Sequence, residues 1–184
     1  MNLGQATMVI VAMALLGFLA LSANSSVMES TDISDSSEFG VTSVSLATSL
    51  IQEAMAKDFD QTVSTSGNVS DSTTFTPAAS LGRDGVEKYR DPVHDFNDFD
   101  DFNNLFLVFT SPLDPSPEAG ADSTLIVPGI RARYIVHTKV EYVLGDNLNA
   151  AWASPTWNKR IIVSVTRPVS KDTIRVPAVM SYWN

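Results

Sequence analysis

The hydrophobic pattern of the chain begins with an apolar run and continues as an amphipathic helix. From Ala6 to Leu21 only Thr7 is clearly polar, and no charged residue precedes Glu29. Downstream, apolar residues recur at spacings of three and four, which places them on one helix face. This face comprises Val41, Val44, Ala47, Leu50, Ile51, Ala54 and Met55. The pattern predicts one long helix over residues 1–58, with an apolar half over residues 1–27 and an amphipathic half after it.

The length of this helix limits what can cover it. A helix over residues 2–58 would be about 85 Å long at a rise of ~1.5 Å per residue. No single small domain can bury a helix of that length. Lipid or other protein chains must therefore cover its first half.

The pattern changes to strand periodicity in the last third of the chain. In Tyr134–Leu144 apolar and polar side chains alternate, and Lys159–Thr166 repeats the pattern. Thr173–Trp183 is a third strand, which is either an edge strand or broken at Pro177, because proline cannot donate to a ladder. Shorter candidate strands are Leu105–Phe109 and Leu125–Val127.

Sequential strands joined by turns favour an antiparallel sheet, here over residues 105–184. One face of this sheet would pack on the apolar stripe that follows Gly40. The predicted fold is α+β, a long N-terminal α-helix packed on a C-terminal antiparallel β-sheet. Between helix and sheet, residues 59–104 are predicted to form a surface loop, because residues 61–80 are rich in Ser and Thr.

Three interpretations fit the apolar run. A secretory signal peptide would explain Ala20–Ala23 as a cleavage site, but its basic region is missing because the first Lys or Arg is Lys57. A membrane anchor needs roughly 20 mostly apolar residues, and the run is just long enough. In the third interpretation the segment first sits in a membrane and then packs against copies of itself in a filament core.

The N-terminal residues resemble the mature N-terminus of a type IV pilin. That family begins with Met or Phe, has an acid at the fifth position and continues as one apolar helix; here Met1 and the amide Gln5 occupy these positions. An amide can accept a hydrogen bond from a neighbouring N-terminal amine but cannot neutralise its charge. The resemblance implies insertion in the inner membrane, assembly into an extracellular filament of identical subunits, and local melting of the helix on assembly, for which Gly17 is the candidate.

A second segment resembles mannose-sensitive haemagglutinin-type pilin-like proteins. It comprises Leu81–Gly85 and the acidic aromatic stretch Asp91–Asn104, and a strand pair follows it in those proteins as Arg160–Thr166 does here. In this stretch Phe96, Phe99 and Phe102 recur every third residue, so we expect the rings to point inward and the carboxylates to face solvent.

Clustered carboxylate oxygens are the ligands that Ca²⁺ prefers, so the same stretch is a candidate calcium site. Its ligands would be Asp95, Asp98, Asp100 and Asp101. The EF-hand pattern fails here, because the required Gly and Glu are absent. The alternative is a metal-free loop anchored by its aromatic rings, since Asp and Asn also form turns and caps.

Composition excludes several classes of function. The net charge of −9 argues against a nucleic-acid binder. The chain has no cysteine, which rules out disulfides and a thiol nucleophile. Acids concentrate in residues 29–60 and 83–122 and bases in residues 123–184. These regions could pair between subunits, or they could simply form a solvated surface.

The chain offers no convincing catalytic group, and we expect no enzymatic activity. His94 and His137 are the only histidines, and His137 falls on the presumed exposed face of its strand. A triad would need a Ser, a His and an acid to converge. No Gly-rich phosphate loop or HExxH motif occurs.

These patterns predict a structural subunit of an extracellular type IV pilus-like filament, without a cofactor unless calcium binds. The residues expected to carry assembly are Met1, Gln5, Met8, Ile10, Val11, Leu15, Leu16, Phe18 and Leu19. The alternative is a membrane-anchored envelope binding protein, with residues 6–23 as a permanent anchor and an exposed β-domain.

Overall fold

A computed structural model of the chain describes residues 3–183. Helix α1 spans Leu3–Met55 and is continuous through Gly17 and Gly40. The predicted long helix is therefore confirmed. Melting near Gly17 on assembly stays a prediction. The chain divides into two compact units between Val41 and Thr42, so the first unit contains the apolar part of α1 and the second contains its last turns with the rest of the chain.

The part of α1 within the second unit is amphipathic. Its buried positions are spaced by four, three, one and three residues, which is the spacing of one helix face. They are Ser43, Ala47, Leu50, Ile51 and Ala54. Four of them were expected, whereas the predicted positions Val41, Val44 and Met55 are exposed. Ser43, which was not predicted, is buried instead. Leu46 and Leu50 line a small cavity with Phe109 of the sheet, so this end of the helix packs on the sheet as predicted.

Six strands form one open sheet. They are β1 (Phe106–Thr110), β2 (Ser123–Ile126), β3 (Tyr134–Leu144), β4 (Asn147–Trp152), β5 (Asn158–Thr166) and β6 (Thr173–Ser181). The order is β2-β1-β3-β5-β6, and β4 pairs with the end of β3. All pairs are antiparallel except β1 with β2, which is parallel. The α+β class is confirmed, and the sheet is mixed rather than purely antiparallel.

The predicted strands match the observed ones within two residues at each end, and β4 was not predicted. All six residues of β4 are exposed, so no buried face produces an alternating pattern in its sequence. Within the described residues β6 pairs only with β5, and Pro177 lies in this edge strand opposite Ile162. The edge position expected from Pro177 is therefore confirmed.

The connection between helix and sheet is more structured than a loop. Helix α2 spans Gln61–Ser66, and three 3₁₀ turns follow at Ser72–Thr74, Ala78–Ser80 and Asp100–Phe102. The rings in this connection are buried, as expected for Phe96, Phe99 and Phe102. Phe96 and Phe102 pack with Tyr89, whose ring centroid lies 5.7 Å from that of Phe96 and 6.3 Å from that of Phe102. The connection is thus part of the core of the second unit.

Candidate functional site

The first unit exposes apolar side chains on all sides of its helix. The exposed fractions reach 78 % for Met8 and 71 % for Phe18. Because successive residues are ~100° apart around an α-helix, these positions do not form a single stripe. The other predicted assembly residues that are exposed are Gln5, Ile10, Val11, Leu15, Leu16 and Leu19. Met1 lies outside the described residues.

Helix α1 is long and apolar enough to cross a membrane, as judged from its length and composition. No other helix among residues 3–183 passes that test. A signal sequence near an N-terminus has the same length and apolar composition. The exposed apolar surface of this helix therefore needs an apolar environment, such as lipid or other protein.

The four aspartates predicted to bind calcium are not gathered around one point. Asp95 forms an ion pair with Lys57, at 3.0 Å between Oδ2 and Nζ. Oδ1 of Asp98 accepts hydrogen bonds from the backbone N–H groups of Asp100 and Asp101. Residues 3–183 contain no group of three or more His, Cys, Asp or Glu side chains arranged to hold a metal ion. The calcium site stays a prediction.

The expectation that the carboxylates of this stretch face solvent is wrong for three of them. Asp98, Asp100 and Asp101 are each 2 % exposed or less. The reason is a buried cation that the sequence interpretation missed. Nζ of Lys159 lies 2.7 Å from Oδ1 of Asp100 and 2.7 Å from Oδ2 of Asp60. We call these residues, together with Asp98, the Lys159 cluster.

Lys159 is completely enclosed. Its side chain has no solvent exposure, and Nζ donates a third hydrogen bond to the backbone carbonyl of Phe59 at 2.8 Å. All three donors of the ammonium are therefore used. The Phe59 and Tyr142 ring centroids lie 4.7 and 5.3 Å from Nζ, which adds cation–π attraction.

Asp60 connects the cluster to the start of α2. It is the N-cap of this helix, and its Oδ1 accepts from the backbone N–H of Thr62 at 3.1 Å. The N–H of Thr76 donates to its Oδ2 at 3.0 Å. Burial alone would raise the pKa of Asp60, but the Lys159 charge and these hydrogen bonds more than compensate and lower it.

The pKa values of the other three buried aspartates are raised instead of lowered. Burial and the neighbouring Asp100 charge raise the pKa of Asp98 to about 9. Burial raises the pKa of Asp101 to about 6. The pKa of Asp100 is also raised, mainly by burial, although Lys159 acts against this. At neutral pH Asp98 therefore holds a proton, which it donates in its hydrogen bond to the Asp100 side chain.

The sequence contained one signal for this cluster. Lys159 shares its strand face with Ile161, Val163 and Val165, all of which are buried. Because alternate residues of a strand point to the same side, period two already placed a lysine among core positions. A lysine is rarely fully buried without partners, so this pattern could have predicted that buried carboxylates pair with Lys159.

A second buried ion pair lies one residue further along β5. Arg160 donates from Nε to Oε1 of Glu141 at 3.1 Å across the β3–β5 pair, and its Nη1 donates to the carbonyl of Leu148 in β4 at 2.7 Å. Burial would raise the pKa of Glu141, but the bonds from Arg160 and Lys139 lower it. Through its bond to Leu148, Arg160 therefore links the exposed strand β4 to β5.

The two histidines contact an aromatic ring and a carboxylate rather than a nucleophile. His137 is exposed, as expected, and stacks on the ring of Phe106 with 4.4 Å between centroids. His94 is exposed, and its Nδ1 lies 3.7 Å from Oδ1 of Asp91. The absence of enzymatic activity stays a prediction.

No protein-family model matches the chain, and no curated protein or solved structure is significantly similar to it. Its architecture, a long N-terminal helix with an apolar first half that is followed by a mixed sheet, is compatible with the pilin-like fold.

Proposed function

We propose that this protein is a structural subunit of an extracellular type IV pilus-like filament. The observation that supports this most directly is the apolar helix surface of the first unit, which is exposed all round and carries no charge before Glu29. In the membrane, lipid covers this surface. In the filament, the same segments of neighbouring subunits cover it.

Burial of aliphatic surface drives this assembly relative to water. Full burial of one Leu, Ile, Val, Phe or Met side chain contributes about 1.5–3 kcal/mol. At least ten such side chains among residues 8–21 are at least 46 % exposed in the single chain. They are Met8, Val9, Ile10, Val11, Met13, Leu15, Leu16, Phe18, Leu19 and Leu21. The second units then form the outer surface of the filament.

The test is a charged substitution in the middle of the apolar segment. Leu15→Asp should abolish filaments in negative-stain images of sheared cell surfaces, because a carboxylate cannot be buried among aliphatic neighbours without a partner. The near-ultraviolet circular dichroism of the second unit should stay native. Val169→Asp is the matched control, since Val169 is 94 % exposed in the turn between β5 and β6. Filaments of normal abundance from Leu15→Asp would refute the proposal.

The rival function is a membrane-anchored envelope binding protein whose α1 segment stays alone in the bilayer. A cysteine introduced into the naturally cysteine-free chain separates the two. In a filament, Leu16→Cys should give dimers with a short bifunctional maleimide, because neighbouring helices lie side by side. Leu113→Cys, in an exposed loop of the second unit, is the control for random collision. Equal dimer yields from both variants would favour the lone anchor.

A further inference from the structure

We propose that the Lys159 amine and the Asp100 carboxyl condense into an intramolecular amide, an isopeptide bond, inside the Lys159 cluster. Nζ and Oδ1 lie 2.7 Å apart, and the two side chains are 0 % and 3 % exposed. The bond would form within one chain, so it does not depend on the proposed filament function.

The reaction needs the uncharged forms of both groups. Nucleophilic attack needs a free amine, and a carboxyl group accepts an amine far more readily when it is protonated. Lys159 and Asp100 form a salt bridge in a site lined by the Phe59 and Tyr142 rings. In such a low-dielectric site, transfer of one proton from Nζ to the carboxylate turns a costly ion pair into a neutral amine and a neutral acid.

Asp100 is a better acceptor for the amine than Asp60, which lies equally close to Nζ. Backbone N–H groups of Thr62 and Thr76 donate to the Asp60 oxygens and hold that group as a carboxylate. Asp100 has a raised pKa and a protonated neighbour, Asp98, whose side chain hydrogen bonds to it. Asp98 is therefore the proton donor, and Asp60 accepts hydrogen bonds from Nζ.

The reaction balances without an added reagent. The Nζ lone pair attacks Cγ of Asp100, and a C–N bond forms. Asp98 gives its proton to one Asp100 oxygen, that C–O bond breaks, and water leaves. The water takes its other hydrogen from the proton that Nζ has already passed to Asp100. Nζ then loses one further proton, and this proton restores Asp98. Nothing is oxidised or reduced.

The product keeps hydrogen bonds to Asp98 and Asp60, whereas the Phe59 carbonyl loses the donor that Nζ supplied. The new amide oxygen accepts from the Asp98 hydroxyl, and the remaining N–H donates to Oδ2 of Asp60, which lies 2.7 Å from Nζ. The bond would join the 3₁₀ turn Asp100–Phe102 covalently to strand β5, which lies between β3 and β6. The chain has no cysteine, and this bond would stabilise the second unit as a disulfide does, by constraining the unfolded chain.

Intact-mass measurement of the denatured full chain, extracted in detergent, tests the proposal. The wild type should weigh one water less than its sequence, and proteolysis should release a branched peptide that joins Lys159 to Asp100. Lys159→Arg should show the full mass, because guanidinium stays protonated and cannot attack. Asp98→Asn should form the bond roughly 10²-fold more slowly, because an amide has no acidic proton to give.

Controls separate this bond from other routes to the same mass. Glu141→Gln alters a buried carboxyl outside the cluster and should keep the water loss. Circular dichroism shows whether each variant is folded. An unmodified wild-type mass would overturn the proposal. A water loss confined to a linear peptide, as from a succinimide at Asp84–Gly85, would also overturn it, and so would a branch at Asp60.

Discussion

Lys159 Nζ lies 2.7 Å from Oδ2 of Asp60, although 99 residues separate the two in the chain. The same Asp60 carboxylate is the N-cap of α2. The Asp60 side chain therefore both pairs with the buried Lys159 of β5 and caps the N-terminus of α2. Changes at either end of this pair should be transmitted to the other.

Removal of the buried cation should destabilise the second unit strongly. In Lys159→Met, Asp60 and Asp100 lose their shared partner, whether it holds Asp100 as an ion pair or through the proposed amide. Loss of one member of a buried ion pair alone costs about 3–5 kcal/mol. The free energy of unfolding, from urea denaturation followed by tryptophan fluorescence, should fall by that amount. Lys139→Met is the control, since Lys139 is 64 % exposed and should cost at most about 1 kcal/mol. Equal losses from both variants would contradict the prediction.

The contribution of Asp98 to the stability of the second unit should fall as the pH rises from about 4 to about 9. In the folded protein Asp98 keeps its proton up to about pH 9, whereas its ordinary pKa is 3.8. Between these values the folded state binds one more proton than the unfolded state. Its contribution to stability is thus complete below the unfolded pKa and is lost as the pH rises through the folded pKa, by at most about 1.4 kcal/mol per pH unit.

Urea denaturation at several pH values checks this dependence. Asp98→Asn cannot release a proton, so its free energy of unfolding should vary less with pH across the same window. Asp114→Asn, at an exposed loop position, should keep the wild-type slope. A wild-type slope in Asp98→Asn would show that another group controls the pH dependence.

Calcium should have little effect on thermal stability. Asp100 is already bound to Lys159, as an ion pair or through the proposed amide, and backbone N–H groups occupy Oδ1 of Asp98 and Oδ2 of Asp101. The unfolding midpoint should be the same with Ca²⁺ and with a chelator. A midpoint that rises with Ca²⁺, and no longer does so in Asp101→Asn, would instead support the calcium site predicted from the sequence.

The hydroxyl of Tyr89 should stabilise the contact between the end of α1 and the connection. It donates to Oε2 of Glu53 at 3.0 Å, and the same oxygen pairs with Arg90 at 2.8 Å. Tyr89→Phe keeps the buried ring and removes one bond to a charged group, so it should cost about 1.5–3 kcal/mol in urea denaturation. Arg90→Met removes the more exposed ion pair and the contact of the guanidinium with the Tyr89 ring, and it should cost less.

The sequence predicted the elements whose side chains follow a strong period. The alternation in Tyr134–Leu144 gave β3 at its observed bounds, because one face of that strand is buried. The apolar run gave α1. The parallel pairing of β1 with β2 could not be predicted, since short strands with few buried residues carry no information on direction.

The burial of the acidic connection could not be read from its own residues. The composition of Asp98–Asp101 is that of an exposed turn. Its environment is set by Lys159, which lies 59 residues beyond Asp100. Only the combination of an inward lysine with unassigned carboxylates would have indicated the cluster, and local patterns do not contain such long-range pairings.

The distance along the chain between Asp60, Asp100 and Lys159 also sets an order of events during biosynthesis. Asp60 and Asp100 are synthesised well before Lys159, the cation that pairs with them when they are buried. The connection must therefore stay hydrated while β1 to β4 emerge, and it can close onto the sheet only after β5 has been translated. The nascent polypeptide acquires its folded interior late, long after the apolar leading helix has been synthesised.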